Sequence, residues 1–509
     1  MGICYNLTVT LLIKNGLIYD GSGNQPVKGS VLVKDSKVAW VGEGRAASAD
    51  KVIDAMNAVV APGFIDINTD SDHYLSLFSE PSQKDFLLQG VTTIIGGNCG
   101  ASLAPLLDGS LRSVRKWGDT SEVNVNWHSL NEFLNLAGRL KLGVNFGTLV
   151  GHSTIRRAIV GEDSRDLTED EIRSFKNVLE QAFEDGAFGF STGLGYSHAK
   201  NVPYSEIAEL AEVVSKYKRV YATHLRDETR GLVASISETI KLAEETKANV
   251  EITHYRPLRG FEKDYEESLG LLERRSAQVH INFDLYPFDT STVLIYTLLP
   301  DWAKKGGLEM MLQNISNPAT YSRIKEEMPS DINPDDFVIA KVPSNLKFFS
   351  GKTLKVFAGN QNLDPKSAII KLMELSGLKA VVFYRDINLE FVLKAFFSPQ
   401  AIISSNGASL PEKTEALKHE RYLKTFPVFL ELVAERQLMS LEAGLKKITS
   451  LPAEKYKIKD RGFIREGSWG DIVVMRGGEI SEVLVNGELA VEDGRLSGRR
   501  SGRILRYES

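Results

Sequence analysis

The stretch GFIDINTDSDHYL (63–75) changes from an apolar segment to a polar loop within a few residues. Its apolar half, taken with the residues before it as AVVAPGFIDIN (58–68), has the β-branched, apolar character of a strand. The polar half places Asp70 and Asp72 in the run TDSDH (69–73). Short Asp and Ser side chains often bond their own backbone in such a loop, and carboxylates at a strand end also bind metals. The sequence leaves both interpretations of this loop open.

Seven further strand candidates follow, and helical patterns lie between several of them. In one of these patterns, TEDEIRSFKNVLEQAFEDG (168–186), Thr168 is placed to cap a helix and the acidic residues after it favour the first turn. Repeated strand–helix units predict a parallel sheet, and eight strands predict a (β/α)8 TIM-like barrel of the α/β class. The further candidates are VTTIIGG (91–97), VNFGTLVGH (144–152), AFGFSTGL (187–194), RVYATHLR (219–226), NVEITHYR (249–256), VHINFDLYP (279–287) and AIISSNGAS (401–409).

Both ends of the chain contain short alternating strands joined by Asn-Gly and Asp-Gly turns. Residues 1–60 and 451–509 are therefore predicted to form the two parts of one small β-sandwich domain, with the barrel in residues 61–450. The region around 297–400 is longer than one strand–helix unit needs, so we predict an insertion there. It contains a helical segment, SAIIKLMELSGL (367–378), and one extra strand candidate, KAVVFYR (379–385).

The composition is that of an ordinary globular chain. Of 509 residues, 42% are hydrophobic and 25% are charged, and the formal net charge is -5. This balance indicates neither a nucleic-acid nor a membrane partner, and no apolar run reaches the roughly 18 residues of a membrane helix.

The two cysteines, Cys4 and Cys99, make no disulfide framework, which favours a cytoplasmic setting. No glycine-rich segment matches a nucleotide-binding pattern. The oligomeric state is not determined.

Four side chains with metal-binding chemistry fall at or just after the ends of candidate strands: Cys99, His152, His224 and His254. The carboxyl ends of the strands carry the chemistry in a (β/α)8 barrel. A thiolate with two imidazoles suits zinc, and three protein ligands leave one position open, as in catalytic sites. The alternatives are a small buried cysteine and structural histidines, and His152 in particular could simply hydrogen-bond a neighbouring loop. Two Thr-His pairs on consecutive strands favour the zinc site.

Together, these motifs resemble the D-aminoacylase (N-acyl-D-amino-acid deacylase) family of the amidohydrolase superfamily. The resemblance runs from about residue 10 to the last ten residues, and it implies a barrel flanked by a β-sandwich. It also implies a hydrolase of a C–N amide bond, with a tightly held zinc ion, one per chain, on Cys99, His224 and His254. The segments that carry it are PGFID, QGVTTIIGGNCGASLAPL, LVGHSTIR, GAFGFSTGLGY, YATHLRDE, DLYPFD, SSNG, HERYLKTFP and SLPAEKYKIKDRGFIREGSWGDIVV.

The chain departs from the family pattern in three places. The usual His-x-His after the first strand is Asn-Thr-Asp (68–70), and the usual Ser-Asp-Gly after the last strand is Ser-Asn-Gly (405–407). Arg256 stands where a lysine is usual. In the family, the Asp of Ser-Asp-Gly serves as the general base and proton shuttle. Asn406 takes its place here, and its amide does not titrate near neutrality, so it is limited to hydrogen bonding at the catalytic position.

Two arrangements that would compensate for the changed metal-ligand and general-base positions are compatible with the sequence. Asp70 could bind the metal through oxygen as a fourth ligand, which would close the coordination sphere as in structural zinc sites. Alternatively, Asp70 or Asp72 could serve as a relocated general base. The catalytic candidates are therefore Asp70 and Asn406, and the metal candidates are Cys99, His224, His254 and Asp70.

The resemblance further implies a pocket for a small substrate that carries a carboxylate. Arg421 in HERYLKTFP would bind that carboxylate through its planar, bidentate guanidinium. The other residues expected to line the acyl or carboxylate pocket are Tyr196, Tyr286, Ser291 and Arg256. The alternatives are a surface ion pair for Arg421 and simple packing for the tyrosines.

Two functions from different classes follow. The first is a zinc-dependent hydrolase of an N-acyl amino acid or a related small amide, which the retained zinc ligands and pocket residues favour. The second is a non-catalytic descendant that binds a ligand or a partner, which the substituted base position favours. A change to isomerase or lyase chemistry has no specific residue in its support. The acyl group, the amino acid and its chirality are not determined by the sequence.

Overall fold

The computed structural model describes residues 10–44, 48–108, 111–161, 165–329, 332–414 and 416–508, so Cys4 lies outside the described residues. The described part contains no helix with both the length and the apolar character needed to cross a membrane. Its strands are β1 (Thr10–Ile18), β2 (Val27–Lys34), β3 (Lys37–Gly42), β4 (Lys51–Asp54), β5 (Val59–Pro62), β6 (Phe64–Asp66), β7 (Val91–Gly96), β8 (Asn145–Gly151), β9 (Gly189–Gly193), β10 (Val220–His224), β11 (Asn249–Ile252), β12 (Ile281–Leu285), β13 (Ser291–Leu294), β14 (Phe337–Lys341), β15 (Val381–Tyr384), β16 (Ala401–Ile403), β17 (Ile472–Arg476), β18 (Glu479–Val485), β19 (Glu488–Glu492) and β20 (Arg495–Leu496).

The described helices surround these strands. The α-helices are α1 (Ser76–Ser79), α2 (Lys84–Leu87), α3 (Leu130–Arg139), α4 (His152–Val160), α5 (Glu169–Glu184), α6 (Tyr204–Lys216), α7 (Leu232–Thr246), α8 (Glu262–Arg275), α9 (Gly307–Ser316), α10 (Pro318–Glu327), α11 (Leu354–Gln361), α12 (Pro365–Leu375), α13 (Leu389–Phe396), α14 (Glu420–Glu435), α15 (Leu441–Ile448) and α16 (Ser450–Tyr456). Short 3-10 helices cover Thr120–Glu122, Ile295–Leu298, Asp301–Lys304, Pro334–Asp336 and Ser344–Phe349.

Eight parallel strands form the predicted barrel, in the order β16-β12-β11-β10-β9-β8-β7-β6. The first and last strands meet where their loops begin. Thr69 and Gly407 form a parallel bridge, and the backbone N–H of Ser405 donates to both oxygens of Asp66 at 3.2 Å. The (β/α)8 prediction is confirmed, and these contacts nearly close the barrel at its carboxyl end. Apolar side chains that point into it include Ile65, Ile95, Leu149, Ala222 and Ile402.

The segment predicted as the first barrel strand (58–68) is two strands in two different sheets. Strand β5 pairs with β1 and β17, whereas β6 pairs with β7 inside the barrel. The chain changes sheets at Gly63, where a Cβ atom would lie 2.2 Å from the side-chain oxygen of Thr92. This close approach requires glycine. The chain therefore passes directly from the terminal sheet into the barrel at Gly63.

Strands from both ends of the chain share one nine-stranded sheet, in the order β20-β19-β18-β17-β5-β1-β2-β3, with β4 paired to β1. It has its own apolar core, in which residues near the amino terminus pack against residues near the carboxyl terminus, among them Ile13, Val31, Val60, Ile472 and Leu484. The joint use of both termini follows the sequence prediction. The domain boundaries at residues 60 and 450 stay predictions.

The region between β12 and β16 contains a three-stranded antiparallel sheet, in the order β13-β15-β14. The sequence predicted only β15, because β13 and β14 are short and lack clear alternation. This sheet packs with α9 to α12 around a separate core that includes Phe337, Ile339, Phe357 and Leu372. Its first strand begins at Ser291, so the insertion supplies one of the predicted pocket residues.

The helix predicted after Thr168 is present as α5. The Thr168 side chain accepts from the backbone N–H of Glu171, and the Glu171 side chain bonds back to the backbone of the cap residue. This capping box satisfies N–H groups that the first turn leaves without partners. Helix α5 buries Phe175, Leu179, Ala182 and Phe183. Helices anchored in this way hold the strand ends, and hence the site, in register.

Candidate active site

Cys99, His224 and His254 come together at the carboxyl ends of β7, β10 and β11. One donor atom from each residue lies within 4.8 Å of the other two, and Cys99 Sγ is 3.4 Å from His254 Nε2. The two imidazole rings are nearly perpendicular, with centroids 4.5 Å apart. In the described part of the chain this is the group of three such side chains that could hold a metal ion. We call it the Cys-His-His group.

The backbone around these residues turns sharply. Cys99 has a φ of 51° and His254 a φ of 38°, left-handed conformations that few residues other than glycine adopt. The side-chain amide of Asn98 donates to the carbonyl oxygen of Ile67 at 3.2 Å, and the N–H of His254 donates to Asp284 Oδ1 at 3.1 Å. Conformations of this kind cluster at functional sites, where the surrounding contacts hold them.

Burial sets the protonation of this group. It lowers the pKa of His224 to about 3, helped by the charges of His254 and Arg256. Burial and the charge of Asp70 raise the pKa of the Cys99 thiol well above its ordinary value. A neutral imidazole is the form that binds metals, and a bound metal removes the thiol proton. The group is thus electrostatically suited to receive a divalent cation.

The donor atoms themselves fit a zinc ion. His224 Nδ1 is buried and has no hydrogen-bond partner in the described structure, so its lone pair is free. His254 Nδ1 is 3.2 Å from Glu228 Oε1, so Nε2 is the nitrogen that faces Cys99. One sulfur with two imidazole nitrogens is a zinc donor set, and a fourth position for a reactant marks catalytic zinc sites.

Glu228, which the sequence analysis did not single out, links the Cys-His-His group to the pocket. Its Oε1 lies 3.2 Å from His254 Nδ1, and its Oε2 lies 3.8 Å from His224 Nε2. The same Oε2 accepts from Arg256 Nη2 at 2.5 Å. Burial opposes the charge of Glu228, but Arg256 and the two histidines hold its pKa well below the usual range. A carboxylate on the outer nitrogen of a ligand histidine fixes the ring and strengthens the ligand. Its signal was the end of THLRDE, four residues after His224.

Asn406 and Asn68 form a chain of amides and carboxylates with Asp70 and Asp284. The Asn406 amide donates to Asn68 Oδ1 at 3.3 Å and to Asp70 Oδ2 at 3.4 Å. The Asn68 amide in turn donates to both oxygens of Asp284, at 3.1 and 3.2 Å. Burial raises the pKa of Asp284 to about 7. Both asparagines thus use their N–H donors on carboxylates, which a histidine or aspartate at the same position would not do in the same way.

Asp70 lies between Asn406 and a buried histidine. Its Oδ1 is 3.0 Å from His73 Nδ1, and its backbone N–H donates to the carbonyl of Gly407 at 2.7 Å. Burial alone would favour the neutral form of His73, but Asp72 and Asp70 raise the pKa of His73 to about 9. His73 and Asp70 therefore form an ion pair. Asp70 is not among the three residues with donor atoms within 4.8 Å of one another. Its roles as ligand and as base stay predictions.

The TDSDH loop does not mainly bond its own backbone. Ser71 Oγ donates to Gln83 Oε1 at 2.7 Å, and Asp72 Oδ2 accepts from the N–H of Gly97 at 2.6 Å. These two side chains find partners in other loops, because the loop is buried against them and its polar groups need partners there. Asp72 also bonds the backbone of His73 in its own loop, so the turn interpretation holds in part. Asp72 holds the turn that leads to Cys99, a positioning contact rather than one to a reactant.

Two arginines form a wall beside this centre, as the resemblance implies. Arg421 Nη1 donates to the hydroxyl of Tyr286 at 3.2 Å, and Arg256 Nη1 donates to Ser291 Oγ at 3.0 Å. Arg421 is 4% exposed, so the surface ion-pair interpretation is wrong. The Nε atoms of both arginines are buried without a hydrogen-bond partner in the described residues. Spare N–H donors on buried guanidinium groups suit a carboxylate. We call these four residues the arginine wall.

Tyr196 packs directly on the Cys-His-His group. Its ring centroid is 4.9 Å from that of His224, and it stacks on His198 at 5.8 Å. A Cβ atom on Gly195 would lie 2.6 Å from His224 Nε2, so glycine permits this approach. The sequence analysis assigned no role to His198 or His73. The fold brings both to the site. Their signal in the sequence was their closeness to predicted site residues, since His73 follows Asp70 by three residues and His198 follows Tyr196 by two.

His152 lies outside the Cys-His-His group. Its Nε2 is 2.8 Å from Glu206 Oε1 on α6, and its ring stacks on Phe175 at 5.5 Å. The alternative interpretation of His152, a hydrogen bond to a neighbouring element, is the one the structure shows.

Comparison with known proteins gives full-length similarity to amide hydrolases. The chain is 27% identical over 514 residues to the D-aminoacylase of Alcaligenes xylosoxydans xylosoxydans, and the match covers 97% of each chain. No family model matches the chain.

Solved structures agree. The N-acyl-D-glutamate deacylase of Bordetella bronchiseptica, complexed with zinc and a phosphonate mimic of the tetrahedral intermediate, superposes with a TM-score of 0.80 at 25% identity. That match covers 97% of this chain and 99% of the other. A D-aminoacylase structure described with a binuclear metal centre gives the same TM-score, identity and coverage.

Proposed function

The chain belongs to the D-aminoacylase family of the amidohydrolase superfamily, and on that premise we propose that it hydrolyses the amide bond of an N-acyl amino acid or a related small amide with a carboxylate. The metal-binding group and the carboxylate pocket would act on one molecule. The scissile carbonyl would lie at the Cys-His-His group and the carboxylate at the arginine wall.

The observation that carries this proposal is the bridge between these two parts. Glu228 contacts the metal-binding His254 through one oxygen and the pocket residue Arg256 through the other. A substrate bound at Arg256 therefore lies next to the metal-binding atoms, in a fixed relation to them. Such positioning supplies a large part of the rate of hydrolytic enzymes.

We propose that Cys99, His224 and His254 hold one zinc ion per chain. When bound, zinc polarises the carbonyl of the substrate and lowers the pKa of water at its open position. A second ion, as in the binuclear relative, would compete here with the charge of His73. That imidazolium already neutralises the carboxylate of Asp70, so a second metal ion would gain little electrostatic stabilisation from Asp70.

Asp70 is proposed as the general base. Its Oδ1 is held by His73 and its Oδ2 faces the Asn406 amide, so the carboxylate is oriented from both sides. It would take a proton from the attacking water and return it to the leaving nitrogen. Asn406 would keep a hydrogen-bonding role. In the alternative, Asp70 binds the metal as an oxygen ligand, and the two roles are separated by metal content in an Asp70 variant.

The arginine wall is proposed to bind the carboxylate of the substrate. Arg421 and Tyr286 already share a hydrogen bond, which fixes the guanidinium plane without using all of its donors. Arg256 is held between Glu228 and Ser291. A planar guanidinium binds a carboxylate through two hydrogen bonds, which a lysine would not reproduce.

The test is amine release from a panel of N-acetyl amino acids of both chiralities, with zinc content measured on the same protein. We expect activity that is lost on chelation, restored by zinc and absent in Cys99→Ala. Arg421→Lys should raise KM more than it lowers kcat. A folded protein with a full zinc complement that releases no amine from any member of the panel would overturn the proposal. In the described site, nothing favours the non-catalytic interpretation.

A further inference from the structure

Glu251, on β11, is a buried carboxylate that the proposed reaction does not use. Its neighbours Val250 and Ile252 belong to the apolar core that the barrel shares with the inner faces of helices α5 to α8. Because side chains alternate along a strand, Glu251 points the other way, into the barrel. It is fully buried there, and neither of its oxygens has a hydrogen-bond partner among the described residues. Buried charges in proteins are paired or bind metals, so the interior around Glu251 calls for a partner.

Lys455 brings positive charge near Glu251 without making that contact. Its ammonium group lies beside the amino ends of β11 and β12, where it donates to the carbonyl oxygens of Val250 and His280 at 2.6 and 3.3 Å. Burial raises the pKa of Glu251 well above its ordinary value, the charge of Lys455 opposes this rise, and the charge of Asp284 adds to it. The ammonium group therefore does not offset the burial of the carboxylate.

Two hydroxyl groups face the same interior. Tyr456, on α16, lies in the cluster of inward-pointing side chains with Ala222 and Ile402, and Ala222 is paired with Glu251 across β10 and β11. The charge of Glu251 adds to burial in raising the pKa of Tyr456. Ser404 is the next inward position after Ile402, because its N–H continues the pairing of β16 with β12. Both hydroxyls are buried without a hydrogen-bond partner in the described structure.

Asp284 adds a second carboxyl group to this interior. Its neighbours Phe283 and Leu285 belong to the core outside the barrel, so it also points inward. Among the described residues whose charges act on Glu251, the positive one is Lys455. Two inward carboxyl groups thus face one ammonium group. When both are ionised, the interior lacks one positive charge.

We propose that Glu251 and Tyr456 bind a monovalent metal cation, Na⁺ or K⁺, inside the barrel, with the Ser404 hydroxyl as a further ligand. All of these donors are oxygens, which hard cations prefer. A single positive charge balances the carboxylates against Lys455, whereas a divalent ion would exceed that balance. The site differs from the Cys-His-His group in its donors and in its place below the strand ends. It goes beyond the proposed function and does not depend on it.

The test is thermal unfolding of the full-length, zinc-loaded protein after dialysis against choline chloride. NaCl, KCl or more choline chloride is then added at one ionic strength and one scan rate. A ligand that binds only the folded state stabilises it as its concentration rises above Kd. One alkali ion should therefore raise Tm by about 2 to 3 °C at 100 times its Kd, whereas choline, a bulky organic cation, should not. The ion that acts identifies the occupant.

Two variants locate the site. Glu251→Gln keeps the shape of the side chain and removes its charge, so the ion-specific rise in Tm should be lost. Tyr456→Phe removes one oxygen ligand and should move the rise to higher ion concentration, and it serves as the test if Glu251→Gln does not fold. The matched control is Glu482→Gln, which changes a buried glutamate of the terminal sheet that is paired with Arg476. It should lower Tm in every salt and keep the rise.

Each other outcome refutes the site. An equal Tm of the parent protein in the three salts would mean that a protonated Glu251 and water occupy this region. An ion-specific rise that is unchanged in Glu251→Gln and Tyr456→Phe would place the ion elsewhere. Neither result bears on the amide hydrolase, because the readout is stability and not amine release.

Discussion

The side-chain amide of Asn406 donates a hydrogen bond to the carboxylate of Asp70 over 3.4 Å. These two positions lie 336 residues apart in the chain and meet where the last and first barrel strands end. The same amide reaches Asn68 Oδ1. A carboxylate at one position and an amide at the other is a complementary pair, so the two side chains must be considered together.

Asp70→Asn should lower kcat by roughly 10²- to 10⁴-fold, the usual cost of losing a positioned general base. Zinc content should stay near that of the parent protein if Asp70 is a base. Steady-state kinetics and metal analysis on one preparation check both quantities. Asp170→Asn, exposed on α5, is the control and should change neither. Loss of zinc with the activity would instead identify Asp70 as a ligand.

Asn406→Asp alone should not raise kcat above that of the parent protein. The new carboxylate would face Asp70 and the side-chain oxygen Oδ1 of Asn68, and like charges at this distance disfavour double ionisation. We expect the acid limb of the pH–rate profile to move to higher pH. The double variant Asp70→Asn with Asn406→Asp returns one charge to the pair and should recover more activity than Asp70→Asn. A faster enzyme with an unshifted profile in Asn406→Asp alone would contradict the coupling.

Cys99→Ala should reduce zinc from about one ion per chain to nearly none, because two imidazoles alone hold zinc weakly. Inductively coupled plasma spectrometry on protein purified without added metal measures this. The matched control is His152→Gln, a buried histidine at another strand end that bonds Glu206 instead of the Cys-His-His group. It should cost stability and keep zinc. Equal zinc in Cys99→Ala and the parent protein would place the metal elsewhere.

Glu228→Gln should weaken zinc affinity by roughly 10- to 100-fold, the usual effect of losing a carboxylate behind a ligand histidine. It should also raise KM, because Arg256 loses the partner that holds it. Competition with a zinc-sensitive chelator measures the affinity. Glu238→Gln, which removes a similar arginine partner at Arg226 away from the metal group, is the control. An unchanged zinc affinity would limit Glu228 to the pocket.

Lys455→Met should change the pH dependence of stability. Burial lowers the pKa of Lys455 from 10.5 to about 8 in the folded chain, and its Nζ donates to the carbonyl of Val250 at 2.6 Å. Between pH 8 and 10.5 the unfolded state binds more protons, so the free energy of unfolding of the parent protein rises with pH across this window. The gain is at most about 3 kcal/mol.

Urea denaturation at several pH values measures this difference. Relative to Lys455→Met, the parent protein should gain stability from pH 8 upward. The exposed Lys241→Met serves as the control and should follow the parent protein. A constant difference between the parent protein and Lys455→Met over this range would show that Lys455 titrates normally.

Much of the fold could be predicted from local patterns. Strand and helix periodicity identified the eight barrel strands and the capped helix after Thr168, because these depend on neighbours in sequence. The split at Gly63 was missed, since it depends on which distant strand each half pairs with. The strands β13 and β14 were missed because they are short and lack clear alternation.

The sequence by itself determined the barrel and the gathering of Cys99, His224 and His254, because parallel strands bring their carboxyl ends to one edge. Only the tertiary structure decided which charges meet there. It placed His73 on Asp70, joined Glu228 to both His254 and Arg256, and set Lys116 over Tyr196. Most of these contacts join loops that are far apart in the chain, and even for His73 and Asp70, three residues apart in one loop, the direction of each side chain depends on burial and packing.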